Sequence, residues 1–168
     1  YGLMAGGKRL RPILILATYQ IFKDNIECCM PYTVAIEMLH SFSLIHDDLP
    51  AIDNDDFRHG KLTNHKKFNE STAILAGDGL MNYAYYVISK DLKNTTDVQE
   101  LKTKINIFNE LTVAIDSMIA GEQVDTEFEG KPISSDYLEY MHKNKTGALI
   151  RVCVRIGAIL GGATEEQL

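Results

Sequence analysis

An apolar stripe between Pro31 and Pro50 constrains the fold of this chain more than any other feature. Its residues recur three or four positions apart, which is the spacing of one face of an α-helix. The stripe consists of Ala35, Met38, Leu39, Phe42, Ile45 and Leu49. Proline is tolerated in a first helical turn and interrupts a helix that has begun. The sequence therefore predicts a helix that opens at Pro31 and ends near Pro50.

Helical periodicity continues through most of the chain, whereas the alternation typical of strands is rare. Asp97 is expected to cap the longest helix, which runs to about residue 127, and residues 60–69 are expected to form a loop. Further helices are predicted at 13–22, 70–91, 137–143 and 146–160. No repeat or linker divides the 168 residues. We therefore predict an all-α fold, with one helical bundle forming a single domain over 1–168.

Composition excludes several classes of partner. The net charge is −6 and the basic residues are scattered in short groups, which argues against binding nucleic acid or an anionic membrane. No apolar run approaches the roughly 18 to 20 residues that span a bilayer. Cys28, Cys29 and Cys153 lack metal-site spacing, and adjacent cysteines form a poor disulfide. We expect packed, reduced thiols and a cytoplasmic protein.

Both ends of the sequence suggest a piece of a longer chain. It opens on Tyr1 without an initiator methionine. It closes at Leu168, just after Thr164 and two glutamates, which are typical of a helix N-cap and first turn. We therefore expect a fold that is truncated at both ends.

Five aspartates between positions 47 and 56 form the most distinctive polar cluster, with no Lys or Arg among them. Short, hard carboxylate oxygens suit Mg²⁺, which is usually shared with substrate phosphates. A calcium loop of the EF-hand type is disfavoured, because Arg58 and Asn64 fall where Gly and Glu are required. A solvated acidic loop is the alternative interpretation. Basic residues follow from Arg58 to Lys67, so a bound diphosphate could bridge the acidic and basic halves.

Two other features have the chemistry of a phosphate site. The flexible Gly6-Gly7 pair precedes Lys8 and two arginines at the start of a helix, which together can grip a phosphate. His40 lies seven residues before Asp47 and so projects towards the same helix face. Alone, the first feature is more often a solvated basic loop, and a single histidine is more often packed or capping.

Six segments resemble, in order and spacing, the short-chain trans-polyprenyl diphosphate synthases, particularly the bacterial farnesyl diphosphate synthases. The segments are residues 6–12, 40–56, 64–68, 76–78, 121–125 and 145–147. The resemblance implies an isoprenoid synthase bundle, active as a homodimer with Mg²⁺. Such an enzyme ionises an allylic diphosphate, either dimethylallyl or geranyl, and couples it to isopentenyl diphosphate to give farnesyl diphosphate and release diphosphate.

The same resemblance implies a role for each matching residue. Asp47 and Asp53 would be Mg²⁺ ligands, with Asp48 close by. Isopentenyl diphosphate would be held by Lys8, Arg11 and His40. Arg58 would contact the allylic diphosphate, and Lys145 and Thr146 would act at its leaving group. The helix facing the cavity would contribute Gln123 and Asp125, and product length would be limited by Phe42, which is otherwise a simple core residue.

Two departures from the family pattern matter. His59 stands where many members have a second arginine, so its contact to isopentenyl diphosphate is expected to be weaker. The second aspartate-rich motif is absent from this sequence, and the 168 residues alone are expected to be nearly inactive. Three alternatives stay open: a geranylgeranyl diphosphate synthase, a related non-catalytic helical subunit, and a metal-dependent phosphohydrolase. The last requires a metal-binding histidine upstream, and none precedes His40.

Overall fold

The structure is a computed structural model that describes all 168 residues. It consists of two compact units, which we call unit 1 and unit 2. Unit 1 comprises Tyr1–Pro12 and Met30–Asp91, and unit 2 comprises Ile13–Cys29 and Leu92–Leu168. The prediction that 1–168 forms one domain stays a prediction.

Helices account for nearly all the regular structure, which confirms the all-α prediction. The helices are α1 (Leu10–Tyr19), α2 (Met30–Asp47), α3 (Asn64–Lys67), α4 (Glu70–Asn94), α5 (Val98–Phe128), α6 (Ser135–Met141) and α7 (Ala148–Gly161). A π-helical segment, His142–Gly147, joins α6 to α7. Short 3₁₀ turns lie at Gly2–Met4, Ile26–Cys29 and Glu165–Gln167.

Helix α2 forms the core of unit 1, as the apolar stripe predicts. Leu39 is fully buried, and Phe42 and Ile45 are at most 6% exposed. Burying side chains of this size contributes roughly 1.5 to 3 kcal/mol each. The helix ends at Asp47, slightly earlier than Pro50 suggests, because the chain already turns at Leu49, whose N–H donates to the carbonyl of His46 at 3.0 Å.

A small β-hairpin follows the aspartates, so the prediction of a loop over 60–69 was wrong. Strand β1 (Phe57–Arg58) pairs antiparallel with β2 (Lys61–Leu62), and α3 begins two residues later. His59 and Gly60 between the strands have φ angles of 51° and 75°, as in a type I′ turn. Two-residue strands are too short to give an alternating pattern, and His-Gly is a weaker turn signal than Asn-Gly.

The helices of unit 2 begin largely where their caps predict. The side chain of Asp97 accepts a hydrogen bond from the backbone N–H of Glu100 at 2.7 Å, and the helix runs to Phe128. Ser134 caps α6 in the same manner. The predicted break between 137–143 and 146–160 is absent, because the π-helical segment carries the helical path through. The sequence there contains no proline, and Gly147 is the last residue of the segment.

The cysteines and the apolar stretches bear on two sequence predictions. All three cysteines are free, and Cys29 and Cys153 are buried, as expected of packed thiols. We also predicted that no apolar run approaches the length that spans a bilayer, and this was wrong. The helical stretch Ile26–Asp47 is long and apolar enough to cross a membrane, judged by length and composition only. Half of its 18-residue window is buried inside the protein, and the core helix of a globular protein passes the same test.

Candidate functional site

The end of α2 brings two carboxylates of unit 1 to one point. Asp47 is the last residue of the helix, and the backbone N–H of Asp53 donates to its carbonyl at 2.9 Å. This turn places a carboxylate oxygen of Asp53 within 4.8 Å of one of Asp47. Two carboxylates at this separation repel each other unless a cation lies between them. Their hard oxygen donors therefore fit Mg²⁺, which needs few protein ligands and keeps several waters.

Arg58 joins the hairpin to this helix end. Its Nε donates to Oδ1 of Asp48 at 2.6 Å, and its Nη2 lies 3.3 Å from Oδ2 of Asp47. Asp48 is only 3% exposed, so burial raises the pKa of its carboxyl, and the guanidinium offsets part of that effect. Burial by itself would lower the pKa of Arg58, but the hydrogen bond to Asp48 and the negative charges of Asp48, Asp47 and Asp55 together outweigh it, so the pKa is raised and the guanidinium stays charged.

Residues 6–9, which precede α1, form a segment that we call the glycine loop. Its backbone has φ angles that glycine adopts more readily than other residues. Gly6 and Gly7 have φ angles of 123° and 108°. The loop continues through Lys8 and Arg9 into α1, and all four residues line a cavity of about 540 Å³ within unit 1. The loop therefore presents basic side chains to the cavity on a backbone that can approach a ligand closely.

The same cavity collects most of the predicted substrate-binding residues. Its lining includes Lys8, Arg11, His40, Asp48, Arg58 and His59. These residues come from three segments of the sequence: the glycine loop with the start of α1, α2 with the turn after it, and the hairpin. Their proximity agrees with a shared binding site, while the individual roles stay predictions.

His40 is a neutral partner for Arg11. Its Nε2 lies 3.3 Å from Nη1 of Arg11. Burial, and then the nearby charges of Arg11 and Arg58, lower the pKa of His40 to about 4. The imidazole is therefore neutral at pH 7, and Nε2 accepts from the guanidinium. This contact orients Arg11 without neutralising its charge.

His46 was not predicted as a site residue, yet it ties the end of α2 to α4. Its Nε2 lies 3.0 Å from the carbonyl oxygen of Ile74. A Cβ added to Gly77 would lie 2.1 Å from the same nitrogen, so only glycine leaves room for the ring. Phe42 packs edge-on against His46 with ring centroids 5.8 Å apart. The signal available in the sequence was the glycine of the Ala76-Gly77-Asp78 motif, which indicates a close approach.

In unit 2, Lys145 is held by two acids of α5. Its Nζ lies 2.9 Å from Oε2 of Glu122 and 2.5 Å from Oδ2 of Asp125. Lys145 and Thr146 both lie on the π-helical segment, a geometry that is frequent at functional sites. A Cβ on Gly121 would lie 2.2 Å from the backbone nitrogen of Lys145, so this glycine lets the segment pack against α5.

Glu122 is the partner that sequence reasoning missed. The sequence singled out Gln123 and Asp125, but the side chain of Gln123 is exposed. Positions 122 and 125 are three apart and share a helix face, whereas 123 and 125 do not. Helical spacing could therefore have identified Glu122 before the structure did.

Comparison with known proteins places these observations in a family. The sequence model of the polyprenyl synthetase family matches residues 1–168. The chain belongs to the polyprenyl synthetase family. It is 44% identical to the farnesyl diphosphate synthase of Geobacillus stearothermophilus, over 99% of this chain and 56% of that protein. It is 43% identical to a chloroplastic geranylgeranyl pyrophosphate synthase of Catharanthus roseus, over 100% of this chain and 47% of that protein.

Solved structures agree with the fold. The geranyltranstransferase of Thermotoga maritima superposes with a TM-score of 0.86 at 38% identity, covering 98% of this chain and 58% of that one. An FPP/GFPP synthase of Zymomonas mobilis gives a TM-score of 0.88 at 38% identity, covering 96% and 58%. The isoprenoid synthase type of all-α fold is thereby confirmed. The chain spans about half the length of the curated relatives it matches.

Proposed function

We propose that the protein is a Mg²⁺-dependent prenyltransferase that condenses an allylic diphosphate with isopentenyl diphosphate to give farnesyl diphosphate. One observation carries the proposal: in unit 1, the paired carboxylates at the end of α2 lie beside Arg58, which contacts Asp47 and lines a cavity with other basic residues. Acids alone would suit many metal sites, and basic residues alone would suit many anions. Together they fit a metal-bound diphosphate.

Asp47 and Asp53 are the residues that would hold Mg²⁺. The metal, when bound, neutralises charge that develops on the leaving diphosphate. Arg58 contacts the allylic diphosphate through the part of its guanidinium that does not face Asp48. Asp48 therefore orients Arg58 and is not itself a ligand in this proposal.

Lys8 and Arg11 bind the diphosphate of isopentenyl diphosphate. Arg11 presents a planar fork of donors, and the neutral imidazole of His40 fixes its orientation. His59 lies at the tip of the hairpin beside Gly6 and supplies an imidazole where an arginine would supply two donors. The proposal therefore expects a weaker contact from His59 than from Arg11.

The chemistry requires charge stabilisation and the exclusion of water. The carbon–oxygen bond of the allylic diphosphate breaks, and its electron pair leaves with the diphosphate. The double bond of isopentenyl diphosphate then attacks the cation, and one proton is lost. For unit 2, the proposal assigns Lys145 and Thr146 to stabilising this ionisation, with Glu122 and Asp125 holding the ammonium of Lys145.

A fifteen-carbon product is the chain length we propose. Phe42 lies on α2, five positions before Asp47, and is 6% exposed. An aromatic ring at this depth below the carboxylates would shorten a pocket for the growing chain. We also propose a homodimer, as the family resemblance implies, and a cytoplasmic location, which the packed free thiols support.

Product analysis tests the proposal directly. The full-length protein is incubated with Mg²⁺, labelled isopentenyl diphosphate and either dimethylallyl or geranyl diphosphate. Farnesyl diphosphate is the expected product, and EDTA is expected to abolish it. A twenty-carbon product would replace the farnesyl assignment with a geranylgeranyl one. Absence of any condensed product would favour a non-catalytic subunit.

A further inference from the structure

We infer that Arg9 and Glu37 are positioning residues whose ion pair sets the glycine loop so that Lys8 and Arg11 can grip isopentenyl diphosphate. The inference rests on the proposed function, which assigns that ligand to Lys8 and Arg11. Neither Arg9 nor Glu37 was predicted as a site residue from the sequence, although Arg9 lies between the two binding residues.

The glycine loop contains a backbone conformation that other contacts must stabilise. Gly6 and Gly7 take left-handed φ angles without strain, but Arg9 also has a φ of 52°. A residue with a Cβ adopts this region only where its surroundings compensate for the steric cost. Lys8 lies directly between Gly7 and Arg9, so its direction depends on whether that conformation is kept.

The guanidinium of Arg9 makes these contacts. Its Nη1 forms an ion pair with Oε1 of Glu37, and its Nη2 donates to the carbonyl of Leu3 at 2.8 Å. The Glu37 side chain is 14% exposed, and its Oε2 is buried without a hydrogen-bond partner. A buried carboxylate is costly unless it is paired, so Arg9 and Glu37 each compensate for the other.

Helix α2 therefore fixes the end of the glycine loop and the start of α1 at two points one turn apart. Glu37 holds Arg9, and His40, three residues later on the same face, contacts Arg11. Lys8 is next to the first of these points and Arg11 is at the second. Because both terminal nitrogens of Arg9 are already engaged within the protein, Arg9 acts by placing its neighbours and not by contacting the ligand.

Steady-state kinetics on the full-length enzyme separate this role from catalysis. Glu37→Gln and Arg9→Ala are expected to raise KM for isopentenyl diphosphate about tenfold, with kcat and KM for the allylic diphosphate within about twofold. Glu70→Gln, an exposed acid at the start of α4, is the matched control and is expected to leave every parameter unchanged. A merely structural defect would instead lower the active fraction, and so kcat, without a selective rise in one KM.

Two further variants sharpen the test. The double variant Arg9→Ala/Glu37→Gln is expected to match the worse single variant, because both changes break one interaction. Arg9→Gly removes the backbone strain and the ion pair together, so it should be milder than Arg9→Ala but not equal to wild type. Additive single effects, or equal changes in KM for both substrates, would overturn the inference.

Amide hydrogen exchange supplies a readout that does not depend on turnover. Exchange at residues 7–11 is expected to accelerate in Glu37→Gln and Arg9→Ala, and not in Glu70→Gln. Unchanged exchange in the first two variants would refute the anchoring role. If the wild-type enzyme formed no condensed product, the proposed function would fail, while this exchange measurement would still decide whether the ion pair holds the loop.

Discussion

Unit 1 has an acidic region at the end of α2 and a basic region at the glycine loop. The two regions have the same arrangement of side chains with opposite signs of charge. At the end of α2, acids are in excess, and one arginine, Arg58, is held by the buried Asp48. In the glycine loop, bases are in excess, and one acid, Glu37, holds Arg9. Each region therefore contains one ion pair that fixes its backbone, together with further residues of a single sign.

The difference between the regions indicates what each one binds. The carboxylates of Asp47 and Asp53 lie within 4.8 Å of each other, which suits a compact divalent cation. Lys8 and Arg11 instead line an open cavity of about 540 Å³, which suits an extended anion. Loss of an acid is thus expected to affect the chemical step, and loss of a base is expected to affect the binding of one substrate.

Asp47→Ala is expected to have the largest effect. Removing one metal ligand removes charge neutralisation in the transition state, so kcat of the full-length enzyme should fall by about a thousandfold or more. The melting temperature should change little, because Arg58 keeps its shorter hydrogen bond to the buried Asp48. Asp56→Ala is the matched control, since Asp56 is exposed and only pairs with Lys66 at the surface.

The outcome that would contradict this assignment is a turnover close to wild type in Asp47→Ala at a Mg²⁺ concentration that just saturates the wild-type enzyme. Recovery of turnover only at raised Mg²⁺ would support it, because the remaining Asp53 would then bind the metal more weakly. Magnesium titration of both variants distinguishes these cases.

Arg11→Ala is the corresponding change in the basic region, and its effect should be smaller and of a different kind. We expect KM for isopentenyl diphosphate to rise about tenfold to a hundredfold, with a lesser change in kcat, because a bidentate phosphate contact is lost. Lys66→Ala, an exposed lysine of α3, is the control. A fall in kcat as large as that of Asp47→Ala, with KM unchanged, would contradict the proposal that the basic region acts on substrate binding and the acidic region on the chemical step.

Most of the substrate-binding residues predicted from the sequence line one cavity, and their roles stay predictions, but parts of the backbone that presents them were missed. Asp47 at a helix end follows from the apolar stripe, because that period is set by burial over 18 residues. The hairpin carrying Arg58 and the π-helical segment carrying Lys145 were missed, because each is too short for a periodic signal. The pairing of Arg9 with Glu37 joins positions 28 apart, and no local pattern reports such contacts.

Asp48→Asn tests whether the ion pair of the acidic region is structural. Asp48 is 3% exposed and takes hydrogen bonds from Arg58, so the substitution leaves that half-buried guanidinium without the carboxylate that holds it. This cost exceeds the gain from no longer burying the carboxylate charge, and the fold should be destabilised by about 2 to 4 kcal/mol. Asp55→Asn alters a carboxylate 3.5 Å from the same guanidinium, but one that is about half exposed, so it should cost less than about 1 kcal/mol. Urea denaturation measures both, and equal losses would contradict the distinction.

The pH dependence contributed by His40 should be the smallest effect. Burial and then the neighbouring arginines lower the pKa of His40 from 6.5 to about 4. Between these values the unfolded chain binds a proton that the folded protein does not, so stability rises with pH through this window and is lost as pH falls. Full burial would give about 1.4 kcal/mol per pKa unit, and partial exposure reduces the expected total to about 1 to 2 kcal/mol.

His40→Gln is expected to flatten the stability profile between pH 4 and 6.5, because glutamine can still accept from Arg11 but does not titrate. His142→Gln, at an exposed position, should leave the profile as it is in wild type. Unfolding free energies measured by urea at several pH values give both slopes. If His40→Gln retained the wild-type slope, His40 would have the same pKa in the folded and unfolded states, and below about pH 6.5 the imidazole would be protonated and could not serve Arg11 as an acceptor. Below that pH the basic region would then carry one more positive charge than the comparison with the acidic region assumes.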